Sequence, residues 1–130
     1  MARKTNDRPQ ELTKAELEIM QIIWKRGRTL VHGIIDELPD PKPAYNTVST
    51  IVRILETKGF VSHKAYGRTH EYFPLVSKDE YTKTYMHGVL DRFFDGSLSR
   101  MVSFFSSQKS ISMEETGRIM EILEKDRHTT

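Results

Sequence analysis

Ala44-Tyr45-Asn46-Thr47-Val48-Ser49-Thr50-Ile51-Val52-Arg53-Ile54-Leu55-Glu56-Thr57-Lys58-Gly59-Phe60-Val61 is the most informative run in the chain. From about Ala44 to Lys58 it reads as an amphipathic helix. Val48, Ile51, Val52 and Leu55 recur at i, i+3, i+4 and i+7, one apolar face of a 3.6-residue repeat. Asn46, Ser49, Thr50 and Arg53 share that spacing on another face. An ordinary solvated face carries Glu and Lys pairs that support each other one turn apart. This one carries short hydrogen-bonding side chains and a guanidinium, the groups that read base edges and phosphates. Gly59 ends the helix.

On the C-terminal side, Phe60-Val61-Ser62-His63-Lys64-Ala65 leads into a turn at Tyr66-Gly67-Arg68. Thr69-His70-Glu71-Tyr72-Phe73 returns, and Pro74 stops it. β-branched and aromatic residues around a Gly-containing turn predict a β-hairpin. On the N-terminal side, Thr13-Lys14-Ala15-Glu16 is a capping box, flanked by Leu12 and Leu17 as a hydrophobic staple. The helix it opens buries Leu17, Met20, Ile23 and Trp24 and ends at Gly27. Thr29 is placed to cap a second helix with Leu30, Ile34, Ile35 and Leu38 on its apolar face. Pro39 and the loop Asp40-Pro41-Lys42-Pro43 stop it.

Three short helices and a hairpin outline a winged helix, in which the third helix enters the major groove. The residues suit those roles. Asn46 pairs with adenine, Thr47, Ser49 and Thr50 bond to bases or phosphates, and Arg53 takes guanine or phosphate. The Tyr45 hydroxyl is a further phosphate contact. In the wing, Lys64, Arg68 and His70 neutralise phosphates, and Gly67 lets the tip approach closely.

Composition changes after Pro74. Ser77-Lys78-Asp79-Glu80 is a second capping box, with Val76 and Tyr81 as its staple, and Ser112-Met113-Glu114-Glu115 is a third. Three amphipathic helices follow, the first broken at Gly96. A piece of about fifty residues buries its own aromatics poorly. Tyr85, Val89, Phe93, Leu98, Met101, Val102, Phe105, Ile119 and Leu123 are therefore expected to pack on a second copy. The expected organisation is a mobile arm over 1–10, a winged-helix DNA-binding domain over 11–76, and a helical dimerisation domain over 77–127. The fold class is mainly α with a small β-hairpin wing.

Charge agrees with this division. From Lys42 to Tyr72 five basic residues (Lys42, Arg53, Lys58, Lys64, Arg68) face two acidic ones, Glu56 and Glu71. From Ile111 to Asp126 five acidic residues face two basic ones, so only the middle suits a polyanion. With no cysteine, the chain has no disulfide, thiolate metal site or cysteine nucleophile, which fits a cytoplasmic location. No apolar run approaches the roughly 18 residues of a spanning helix, and the basic start lacks the apolar region of a signal peptide.

Five histidines (His32, His63, His70, His87, His128) occur without a zinc-protease motif, a phosphate loop or a nucleophile elbow, so an enzyme is not expected, nor a cofactor. Two other readings stay open. His63, His70 and Glu71 approach each other if the strands pair, which would suit a metal-responsive regulator. A winged helix also serves as a protein-interaction module.

The sequence resembles the penicillinase repressor family (BlaI/MecI type), which includes copper-responsive relatives. The residues that carry the resemblance are Leu12 to Met20 with Ile23-Trp24, the run Tyr45 to Val61, His63-Lys64, Gly67-Arg68, Tyr72-Phe73-Pro74, and Phe94-Asp95-Gly96-Ser97-Leu98. They extend over about residues 10 to 125. The resemblance implies a homodimer that binds a palindromic operator on double-stranded DNA and represses transcription. It also implies release by cleavage within the dimerisation domain, triggered by a membrane-bound zinc metalloprotease sensor. Aligned on Ser97-Leu98 and Ser112, the matching bond lies near Phe104-Phe105, where Ser103 and Phe104 depart from the family's best-known cleavage sequence. The C-terminal cysteine motif of the copper-responsive relatives is missing.

Overall fold

The computed structural model describes residues 11–108 and 112–129, and in the last helix the side chains of 120 and 123–129 fall outside that description. The expected arm over 1–10 also lies outside the described residues. The order is α1 (Lys14–Arg26), α2 (Val31–Glu37), α3 (Tyr45–Thr57), β1 (Val61–Tyr66), β2 (Thr69–Pro74), α4 (Lys78–Phe93), α5 (Leu98–Ser107) and α6 (Met113–Thr129). The chain is mainly helical with one antiparallel hairpin, and it divides into two compact units after Thr84.

In the first unit α1 packs on α2, α3 and β2. It is thus buried on more than one side, and Ile19 and Ile22 join Met20 and Ile23 in the core while Leu17 and Trp24 stay half-buried at its margin. Met20, Ile23, Ile34, Val48, Val52, Leu55 and Val61 are the most deeply enclosed side chains. Each such side chain stabilises the fold by about 1.5–3 kcal/mol relative to exposure. The capping box of α1 forms: Glu16 N donates to Thr13 Oγ1 (3.1 Å) and Thr13 N to Glu16 Oε1 (3.0 Å).

Thr29 does not cap α2. Its backbone is a bridge on the free edge of β2, with Thr29 N donating to Tyr72 O (2.9 Å) and Tyr72 N to Thr29 O (2.7 Å). Leu30 takes the cap position without a side-chain bond, and the Thr29 hydroxyl donates to Leu30 O (2.8 Å). Gly33 permits this close approach, since a Cβ there would collide with Thr29 Oγ1. The far end of α2 is closed by Lys42, whose Nζ donates to Asp36 O (3.0 Å) and Leu38 O (2.6 Å).

The hairpin pairs Val61 with Pro74 through Tyr66 with Thr69, leaving Gly67-Arg68 as a two-residue turn. Only the first of these has a positive φ (65°), the pattern of a type II′ turn and a place for glycine.

The packed first unit extends past the expected boundary at 76/77. Tyr81, in α4, is 9% exposed; its hydroxyl accepts from Leu12 N (3.0 Å), and its ring lies 5.7 Å from Phe60 and 6.1 Å from Trp24. Trp24 Nε1 donates to Val76 O (2.8 Å), so the staple pair Val76 and Tyr81 is held against the core.

In the second unit α5 packs on α6, and Ser106 and Thr116 hydroxyls meet at 2.8 Å. Ser97 caps α5 by accepting from Arg100 N (3.1 Å). Leu90 and Val102 are buried. Much of the remaining apolar surface is open: Phe93 is 70% exposed, Met113 85% and Ile122 59%.

Candidate nucleic-acid interface

The start of α3 lies against α2, where the Tyr45 and His32 rings are 4.9 Å apart. The apolar stripe of α3 is anchored by Val48, Val52 and Leu55, which turns its polar side outward. Asn46, Thr47, Thr50 and Arg53 are exposed, as is Tyr45, and Ser49 is half-buried. Asn46, Thr50 and Arg53 lie one turn apart and form a continuous stripe along the helix.

Beside this stripe a cleft of about 310 Å³ opens between α2, α3 and the wing. Tyr45, Ser49 and Arg53 line it from α3, His32 and Val31 from α2, and Arg68, Thr69 and His70 from the wing, with Tyr72 in its lining. The structure thus gathers five of the nine anticipated DNA contacts around one concavity. Burial pushes the Tyr72 phenol up, nearby Glu56 adds to this and Arg53 opposes it, so the phenol stays neutral.

Lys64 is placed differently. Strand alternation puts His63, Ala65, His70 and Tyr72 on one face of the hairpin and Lys64, Tyr66, Glu71 and Phe73 on the other. Lys64 Nζ lies 5.4 Å from the Tyr66 ring centroid. Of the five basic residues between Lys42 and Tyr72, Lys42 closes α2 and Lys58 pairs with Glu16 at 2.8 Å, which leaves Arg53, Lys64 and Arg68 for a polyanion.

His63, His70 and Glu71 do not converge as a metal set. Glu71 lies on the opposite face and pairs with Arg28 at 3.6 Å, while His63 Nδ1 meets Glu56 Oε2 at 2.7 Å. Among the described residues no group of three or more His, Asp or Glu is arranged to hold a metal ion. Sequence reasoning passed over His32, whose ring lies 4.9 Å from Tyr45, and the Glu56–His63 contact. No short-range pattern in the sequence marks either contact.

Of the proposed dimer contacts, Tyr85, Phe93 and Phe105 are exposed, and Val89, Leu98, Met101 and Ile119 are half-buried. Val102 is enclosed within its own chain (4% exposed) and has little apolar area left to offer a second copy. The side chain of Leu123 lies outside the described residues. Phe104 and Phe105 lie inside α5, where Phe104 O accepts from Gln108 N (3.1 Å) and Ser107 Oγ (2.8 Å).

The penicillinase repressor family matches residues 12–125, nearly the whole chain. The chain belongs to the penicillinase repressor family. The penicillinase repressor of Bacillus licheniformis is 31% identical over 119 residues, covering 91% of this chain and 93% of that protein. The methicillin resistance regulatory protein MecI of Staphylococcus aureus is 26% identical over 116 residues, 88% of this chain and 94% of its own. The solution structure of the Bacillus licheniformis BlaI monomer in complex with the blaP half-operator covers 57% of this chain and 92% of that one, at 29% identity and a TM-score of 0.47. The penicillinase repressor family thus accounts for both units of this chain. Among the described residues no helix is long and apolar enough to cross a membrane.

Proposed function

We propose that the chain is a homodimeric repressor of transcription that binds a palindromic operator in the cytoplasm. It is a DNA-binding member of a repressor family and not an enzyme. The observation that carries the reading is the exposed stripe Asn46, Thr50 and Arg53 beside a cleft bordered by Arg53, Arg68 and His70. The stripe reads bases from the major groove, and Arg68 and His70 meet the backbone alongside. Lys64, on the other face of the wing, adds charge to the approach without touching the same phosphate.

Dimerisation follows from the open aromatic surface of the second unit, led by Phe93, with Tyr85 and Phe105. Several large aromatics left open on one small unit support a protein interface. Release is assigned to cleavage near Phe104-Phe105, prompted by a membrane-bound metalloprotease sensor. That bond sits in a hydrogen-bonded helix, so α5 opens locally before a protease takes it.

Selection of duplexes from a random-sequence pool by the full chain tests the reading. It is expected to enrich a two-fold-symmetric motif. A pool that stays random after repeated rounds would overturn it and favour the protein-interaction reading.

A further inference from the structure

Two imidazoles lie face to face in the wing. The His63 and His70 ring centroids are 4.1 Å apart with planes inclined by 9°. On its α3 side His63 meets the Glu56 carboxylate at 2.7 Å, and His70 lines the cleft with Arg53 and Arg68. The stack therefore has a carboxylate against His63, and its His70 side faces a cleft that two guanidinium groups also line. Neither guanidinium is ion-paired among the described residues.

We propose that the stacked His63–His70 pair is a proton-linked phosphate-binding element, taking up one proton when a DNA backbone phosphate docks in the cleft. It rests on the operator-binding reading above. A phosphate docked in the cleft adds negative charge on the His70 side of the stack, as Glu56 does on the His63 side, so a proton shared by the two rings is favoured in the complex. A single proton suffices, because two charged rings at this separation repel.

Other titratable and charged groups surround the stack. Tyr72, 5.6 and 6.3 Å from the two rings, is a neutral phenol. Tyr45 from α3 and His32 from α2 line the same cleft, their rings 4.9 Å apart. Lys64 and Glu71 lie on the opposite face of the hairpin, where Arg28 meets Glu71. On α1, which packs on β2, Glu16 pairs with Lys58, and Lys25 and Arg26 pair with Glu37.

A proton bound more tightly in the complex strengthens binding as pH falls, by at most tenfold per pH unit. The test is anisotropy titration of a labelled duplex recovered by selection, with the full chain at pH 6, 7 and 8 and constant ionic strength. Calorimetry at pH 7 in two buffers of different ionisation enthalpy counts the protons. Wild-type affinity is expected to rise about tenfold from pH 8 to pH 6, with net proton uptake. His70→Gln, with unchanged circular dichroism, loses most of that rise. Glu56→Gln moves it to lower pH. A flat wild-type profile, no proton uptake, or an undiminished rise in H70Q would overturn the proposal while leaving operator binding intact. Absence of binding at every pH, or of any selected duplex, would remove the operator reading and this proposal with it.

Discussion

Lys58→Met isolates the one buried carboxylate among the described residues of the first unit. Glu16 is 6% exposed and is held by Lys58 Nζ at 2.8 and 3.0 Å and by Thr13 N at 3.0 Å. Methionine keeps the length of the stem and removes the ammonium. Breaking a fully buried pair costs about 3–5 kcal/mol, because the remaining charge loses its partner. The Lys58 side chain is 24% exposed, so water replaces part of the lost interaction, and about 2 kcal/mol is expected here. Trp24 is the single tryptophan and sits in the same unit, so its fluorescence during urea unfolding reports this change directly. With a urea dependence of about 1–2 kcal/mol per molar for a unit of this size, the midpoint falls by about 1–2 M. Glu16→Gln added to Lys58→Met recovers most of the loss, since no charge is then left unpaired. Burial pushes the Glu16 carboxyl up, but the Lys58 and Thr13 hydrogen bonds outweigh it, and the net shift is downward. A folded value below the unfolded one gives stability that is present at neutral pH and lost as pH falls through the folded value. The difference between wild type and K58M therefore shrinks in acid. An unmoved midpoint in K58M, or a difference that persists unchanged in acid, would refute the reasoning.

Arg53→Ala and Asn46→Ala each weaken specific DNA binding by about 5- to 150-fold, the range for a good base contact, with unchanged circular dichroism because both residues are exposed. Unchanged affinity in both would remove α3 from the groove. Phe93→Asp places a charge on the most exposed aromatic of the second unit and shifts sedimentation equilibrium from dimer to monomer; a dimer as stable as wild type would move the interface elsewhere. Gly33→Ala forces a Cβ against Thr29 Oγ1 and destabilises the first unit by about 1–3 kcal/mol, read as an earlier thermal transition.

The winged helix was legible because its local signals agreed. The capping box at Thr13, the α3 stripe and the Gly67 turn all form where the residue pattern placed them. Thr29 misled because a threonine before an apolar run reads as a cap, whereas its backbone is engaged by Tyr72, 43 positions away in sequence. Tyr81 reads as part of a helical staple in sequence, yet its bond with Leu12 N ties it to the first unit across 69 positions. Neither long-range pairing leaves a mark at short spacing. In the candidate interface, the polar stripe of α3 was readable from residue types at helical spacing. Charge counting gave equal weight to Lys42 and Lys58, which are engaged in capping and ion pairing. The Glu56–His63–His70 arrangement needs the register of the hairpin against α3, which no local pattern encodes.

The central claim is sequence-specific binding of DNA by the α3 stripe and the wing. Its most direct test is anisotropy titration of a selected palindromic duplex and a scrambled duplex of equal length at several salt concentrations. Two chains per selected duplex are expected, with a preference over the scrambled duplex of about a thousandfold or more and a log–log salt slope of about −0.9 for each phosphate neutralised. Equal binding to both duplexes, or binding that ignores salt, would contradict it.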